Sequence, residues 1–121
     1  MAMSTTGANA VLDLYLETNK WVGLWNGDPA GAGTELSGNG YARVAVTAAT
    51  WDAAASSSKD NGSAITFPAA SGNWSEASYV AIHDASTAGN VWQSFALNTP
   101  TTITSGQTAR FDAGALVVTL T

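Results

Sequence analysis

The feature that most limits what this chain can fold into is a change of hydrophobic period near Lys20. Before it, Val11, Leu14 and Tyr15, with Leu12 and Leu16 four apart, follow the cap candidates Ser4, Thr5 and Thr6, which predicts one short helix over Thr5 to Thr18. After it the spacing becomes two. In KWVGLW, Trp21, Gly23 and Trp25 share one face and Val22 and Leu24 the other, the pattern of a strand buried on at least one side. In YARVAVTAATW, Ala42, Val44, Val46 and Ala48 oppose Tyr41, Arg43, Ala45 and Thr47, the cleanest alternation in the chain.

Between these two strands, residues 26–40 carry Gly27, Gly31, Gly33, Gly38, Gly40 and Pro29, and read as one long loop where a contact surface would be sought first. The polar stretch after Trp51 ends in Asn61-Gly62, a type I′ turn signal, leading into Ala64-Ile65-Thr66-Phe67, with Pro68 closing that strand. Further strands are expected at Glu76 to His83, Val91 to Leu97, Thr101 to Ile103, Thr108 to Phe111 and Ala115 to Leu120, separated by SGNW, DASTAGN, NTP, SGQ and DAG. No βαβ alternation and no repeat of 20 to 50 residues is present. The expected class is therefore all-β: an antiparallel β-sandwich or small barrel of about eight short strands with one short N-terminal helix. At 121 residues this is one domain, with residues 1–19 as a helical arm and 20–121 as the β domain.

Charge and composition narrow the function. Lys+Arg 4 against Asp+Glu 9 gives a net charge of -5, which argues against nucleic acid as a partner, because phosphate neutralisation needs clustered cations. No apolar run approaches the roughly 18 residues of a membrane helix, so no membrane insertion is expected. The opening MAMSTTGANA shows no secretion signal, which places the mature start at or next to Met1. With no cysteine there is no disulfide framework, thiolate nucleophile or zinc-thiolate site, and synthesis in a reducing cytoplasm is consistent. Five tryptophans, three tyrosines and three phenylalanines separate the chain from disordered, low-charge sequences.

Catalytic signals are sparse. His83 is the single histidine, no G-x-S-x-G elbow accompanies it, and a lone His near a strand end reads as a structural hydrogen-bonding residue. The carboxylates are scattered, and a glycosidase would need two of them facing across a cleft. Asn26, Asp28, Asp60 and Asn61 lie in expected loops, where Asx turns are the plainer reading than calcium. Gly31-Ala32-Gly33 and Gly38-Asn39-Gly40 lack a Walker lysine and a following helix, so they read as turns. No cofactor, metal or catalytic residue is assigned. The tryptophans Trp21, Trp25, Trp51, Trp74 and Trp92 are core filling or a stacking and interface surface. Trp25 and Trp51 border loops, and with Asp28, Tyr41 and Arg43 they form the candidate contact set. Arg43 and Arg110 are expected either paired with carboxylates or solvated.

Three segments then carry a resemblance: KWVGLWNGDPAGAGTELSGNGYARVAVT, ITFPAASGNWSEASYVAIHDASTAGNVW and TITSGQTARFDAGALVVTL. Together they resemble small tailed-bacteriophage virion proteins commonly labelled tail fibre proteins. The matching positions are Gly33-Thr34-Glu35, Gly40-Tyr41-Ala42-Arg43, Phe67-Pro68, Trp74, His83-Asp84-Ala85, Gly89-Asn90, Ser105-Gly106-Gln107 and Phe111 to Leu116. The resemblance implies a non-enzymatic virion protein. A compact chain without shaft repeats or heptads suits capsid decoration, in which many copies stabilise the shell. The alternatives are a tail fibre or tail-tip protein contacting the host surface and a carbohydrate-binding module. Expected partners are the major capsid protein or tail proteins, further copies of the chain in a homo-oligomer such as a trimer, and, in the alternatives, a host-surface glycan.

Overall fold

A computed structural model describes residues 4–17 and 19–119. Thr18 and Leu120, which close the expected helix and last strand, and the side chain of Tyr15 lie outside the described residues. The fold is all-β with antiparallel sheets and one N-terminal helix. The chain forms two compact units from interleaved segments. One comprises Met1–Asn19, Val46–Ile65 and Arg110–Thr121, the other Lys20–Ala45 and Thr66–Ala109.

The first unit is built on α1 (Thr5–Glu17). Ser4 caps it: its hydroxyl accepts from the Gly7 N–H at 3.1 Å and its carbonyl from the Ala8 N–H at 2.8 Å. The buried face is Ala8, Leu12 and Leu16, one narrow i, i+4, i+8 stripe. The expected stripe through Val11 and Leu14 is corrected, since these are 42% and 68% exposed. Packed against α1 is β4 (Ser58–Asp60), which pairs antiparallel with β9 (Val117–Thr119). The Asp13 carboxylate joins helix to strand, accepting from Lys59 Nζ at 2.6 Å and from the Ala54 N–H at 3.0 Å. Those two donors hold its pKa below the ordinary carboxylate value.

The turn chemistry around residue 60 differs from the sequence expectation. Ser56 and Ser57 are the residues with positive φ, at 51° and 62°, and the Ala55 and Ser58 backbones exchange hydrogen bonds of 2.8 and 2.9 Å across them. This pair makes the type I′ connection. Asn61 instead is fully buried: its Nδ2 donates to the Ser63 and Asp112 carbonyls at 3.0 and 2.9 Å, and its Oδ1 accepts from the Leu116 N–H at 2.9 Å. One side chain thus satisfies backbone groups of a loop some fifty residues away, which is why a turn-forming residue type is used here as an internal tie.

The second unit is dominated by a five-stranded antiparallel sheet. Its spine is β1 (Lys20–Asn26), β6 (Glu76–His83) and β7 (Val91–Thr102), with Gly23 opposite Ala81 and Ala81 opposite Ser94. Small residues at that level let layers pack closely on the central strand, while Val22, Leu24, Val80 and Ile82 supply buried apolar area. On the far side of β1 sit β2 (Thr34–Glu35), inside the segment expected to be pure loop, and β3 (Val44–Val46). The separator Asn98-Thr99-Pro100 does not end a strand; β7 runs through it to Thr102, and a bulge opposite Ala77 to Tyr79 absorbs the irregularity. Apart from this sheet, short β5 (Ile65–Thr66) and β8 (Arg110–Phe111) form a two-stranded sheet of their own, β8 belonging to the first unit.

The clearest alternation, YARVAVTAATW, yields only the three residues of β3 followed by a 3-10 turn at Ala48–Thr50. Ala42, Ala45, Ala48 and Ala49, spread over both faces, offer little apolar area to hold a longer ladder. Tyr41 and Arg43 spend their side chains elsewhere, in the second unit.

Candidate functional site

Residues quoted separately along the sequence meet over β1. The Tyr41 hydroxyl accepts from the Leu24 N–H at 2.9 Å and donates to Glu35 Oε2 at 2.7 Å. Arg43 forks onto the same carboxylate, Nε to Oε2 and Nη2 to Oε1, both at 2.8 Å. Its Nη1 donates to the Ala85 and Ala88 carbonyls, again at 2.8 Å. One guanidinium therefore ties β2 to the loop joining β6 and β7 through four hydrogen bonds, a planar fork that lysine cannot reproduce. Arg110 pairs with Asp112 at 2.8 Å. Both arginines are thus paired with carboxylates, one of the two expected outcomes.

His83 ends β6 beside this fork and is 1% exposed. Its Nε2 accepts from the Trp25 indole N–H at 3.3 Å, with the two rings stacked at 6.0 Å. Burial, reinforced by the charge of Arg43, pushes the imidazole down to about 4, so it is neutral at pH 7. A Cβ added at Gly23 would come within 2.9 Å of His83 Nε2, Glu35 Oε2 and the Tyr41 hydroxyl. The strand needs glycine there because the polar cluster rests on its backbone. The loop after His83 is closed by Asp84, which accepts from the Asn90 backbone N–H at 2.7 Å and from Asn90 Nδ2 at 3.2 Å.

Electrostatically the cluster is locked. Burial pulls Glu35 upward, but the hydrogen bonds from Arg43 and Tyr41 outweigh it and hold the carboxyl below its ordinary value. Burial, followed by the hydrogen bond to Glu35, pushes the Tyr41 phenol up. General acid–base work calls for a group poised near the working pH and within reach of a reactant. These groups are displaced away from neutrality and turned towards each other, which suits fixing loops.

The candidate contact residues divide accordingly. Trp25, Tyr41 and Arg43 come together in the cluster. Asp28 lies in the glycine-rich segment, its Oδ1 accepting from the Ala30 N–H at 2.9 Å, so the Asx-turn reading holds there. Trp51 is corrected as a surface residue: it is 7% exposed and lies in the first unit. Trp74 is core, donating through its indole to the Asn39 carbonyl at 2.8 Å and meeting Tyr41 edge-on at 5.4 Å. Sequence reasoning did not place Glu35, the hub of the cluster, or Trp92, which is 54% exposed, among the contact residues. Glu35 carried a signal, as an acidic residue eight positions before one of few arginines; Trp92 carried none, because strand periodicity does not say which face is covered.

A sequence model of the family described as Podophage GP4 fiber I protein gp80 matches residues 2–119. The chain belongs to this family. The match covers the first two segments that carried the resemblance and the third up to Thr119, and the positions Glu35, Tyr41, Arg43, His83, Asp84 and Asn90 within them are the ones gathered into the fork and its neighbouring loop. In this fibre protein those motif residues bond to one another and to the loop joining β6 and β7. No curated protein matches the chain. Membership in the gp80 family implies a virion-associated protein, and among the described residues no helix is long and apolar enough to cross a membrane. Among the described residues, too, no group of three His, Asp or Glu side chains is placed to hold a metal ion.

Proposed function

We propose that the chain is a structural component of a phage fibre at the tail, acting through contacts with other virion proteins and with further copies of itself, without turnover of a substrate. The single observation that carries this over capsid decoration is the fibre-family match along residues 2–119. The site geometry supports it, since the ionisable residues of the motif are engaged in holding loops (Glu35 by three side-chain donor bonds, Arg43 by four bonds). Antibody-gold labelling of intact parent particles tests the location. Label at the tail is expected; label spread over the head shell would return the reading to decoration, and its absence from the particle would remove both. Sedimentation of the purified chain reads whether it self-associates, for which a trimer is the expected state.

A further inference from the structure

We propose that Trp92, at the start of β7, is the stacking platform of a saccharide-binding site rimmed by the Asp84–Asn90 loop. The inference deepens the fibre reading and rests on it for its biological setting. Four observations converge. Trp92 is 54% exposed, whereas Trp51 and Trp74 are buried and Trp21 and Trp25 half-buried. The ring is held in place: the Lys20 ammonium, itself buried, lies 4.9 Å from its centroid. Its indole edge is hydrogen-bonded to the Asp84 carboxylate, which also receives Asn90. The loop beside it exposes Ser86, Thr87 and Asn90, with its backbone set by Ala88 and Gly89 at φ of 51° and 69° and anchored by Arg43 to the Ala85 and Ala88 carbonyls.

An aromatic plane braced by a carboxylate, with a loop just before it in the chain that exposes hydroxyl and amide groups, matches the chemistry of a pyranose. One sugar face is a patch of C–H groups that packs on a ring, and its rim is a set of hydroxyls that need both donors and acceptors. An interface with another protein copy would instead favour a broader apolar surround. Here Val91 is the exposed large apolar neighbour in sequence, and the loop before it exposes Ser86, Thr87 and Asn90 together with the small Ala88 and Gly89. Because Arg43 and Asp84 hold the loop before any ligand arrives, little ordering is left to oppose binding.

The test uses the full chain. A printed array of bacterial and mammalian glycans identifies binders, and methyl glycosides of glucose, galactose and N-acetylglucosamine are titrated while the five indole N–H signals are followed by NMR. The expected result is a saturable shift at the Trp92 indole larger than at the other four, binding weakened at least tenfold in Trp92→Ala, and recovery in Trp92→Tyr. No glycan bound on the array, a shift centred on another tryptophan, or undiminished binding in Trp92→Ala overturns the proposal. So does a Trp92→Ala protein whose sedimentation changes while glycan binding does not, which would make the ring a contact between copies. Incorporation of Trp92→Ala into particles separates this from the fibre reading, which predicts normal incorporation whether or not sugar binds.

Discussion

His83 shows how a single residue's surroundings set a property of the protein. In the unfolded chain its imidazole titrates at its ordinary 6.5, whereas in the folded chain burial and the Arg43 charge bring it to about 4. Between those values the unfolded state binds a proton that the native state refuses, so stability is full above the unfolded value and falls as the pH drops. The loss from pH 7 to pH 5 is expected to be about 2 kcal/mol. Glu35 works at lower pH: held below 4.5, it contributes stability that is lost only as acid protonates it. Urea denaturation at several pH values checks this, with His83→Gln expected to flatten the profile between pH 7 and 5 because Gln keeps an acceptor without a titrating group. A profile equally steep in His83→Gln would place the acid sensitivity elsewhere. That His83 would take part in a hydrogen bond near a strand end was legible in the sequence. Its partner Trp25 was not, because the two lie 58 residues apart and meet only through the pairing of β1 with β6.

Elements repeat the lesson at larger scale. The limits of α1, β1 and β6 follow from local period, caps and turn residues, and the structure places them at Thr5–Glu17, Lys20–Asn26 and Glu76–His83. Which helix face is buried did not follow. Leu12 and Leu14 look alike in the sequence, yet Leu12 is fully buried and Leu14 is 68% exposed. Leu12→Ala is therefore expected to cost roughly 2–5 kcal/mol, and Leu14→Ala less than about 0.5 kcal/mol, read as shifts in the denaturation midpoint of the two variants. Equal losses would mean that the outer face of α1 is covered in solution. For residues 41–51 the alternation was real but the long strand was not, because alanine gives a ladder too little area to hold, while Tyr41 and Arg43 are drawn to Glu35.

Over the whole molecule, the ties that hold each unit join distant parts of the chain. Asp13 meets Lys59 across 46 residues, Asn61 meets Leu116 across 55 and Arg43 meets Ala88 across 45. Loop closure must precede the reward of such contacts, so refolding followed by tryptophan fluorescence is expected on a timescale of roughly milliseconds to seconds. A dominant phase well under a millisecond would show that local structure governs folding instead. The sequence by itself determined the fold class, the lone helix, the strands with strong flanking signals and the virion character carried by the three motifs, because period, turn chemistry and motif spacing are properties of neighbouring residues. Only the tertiary structure decided that Asn61 is an internal tie, that Glu35 gathers Tyr41 and Arg43, and that Trp92 faces solvent while Trp51 does not. Each of those outcomes depends on what the rest of the chain places opposite a residue: Asn61 meets Leu116 from 55 positions away, and Tyr41, although only six positions from Glu35, is set on it by the Leu24 N–H of β1.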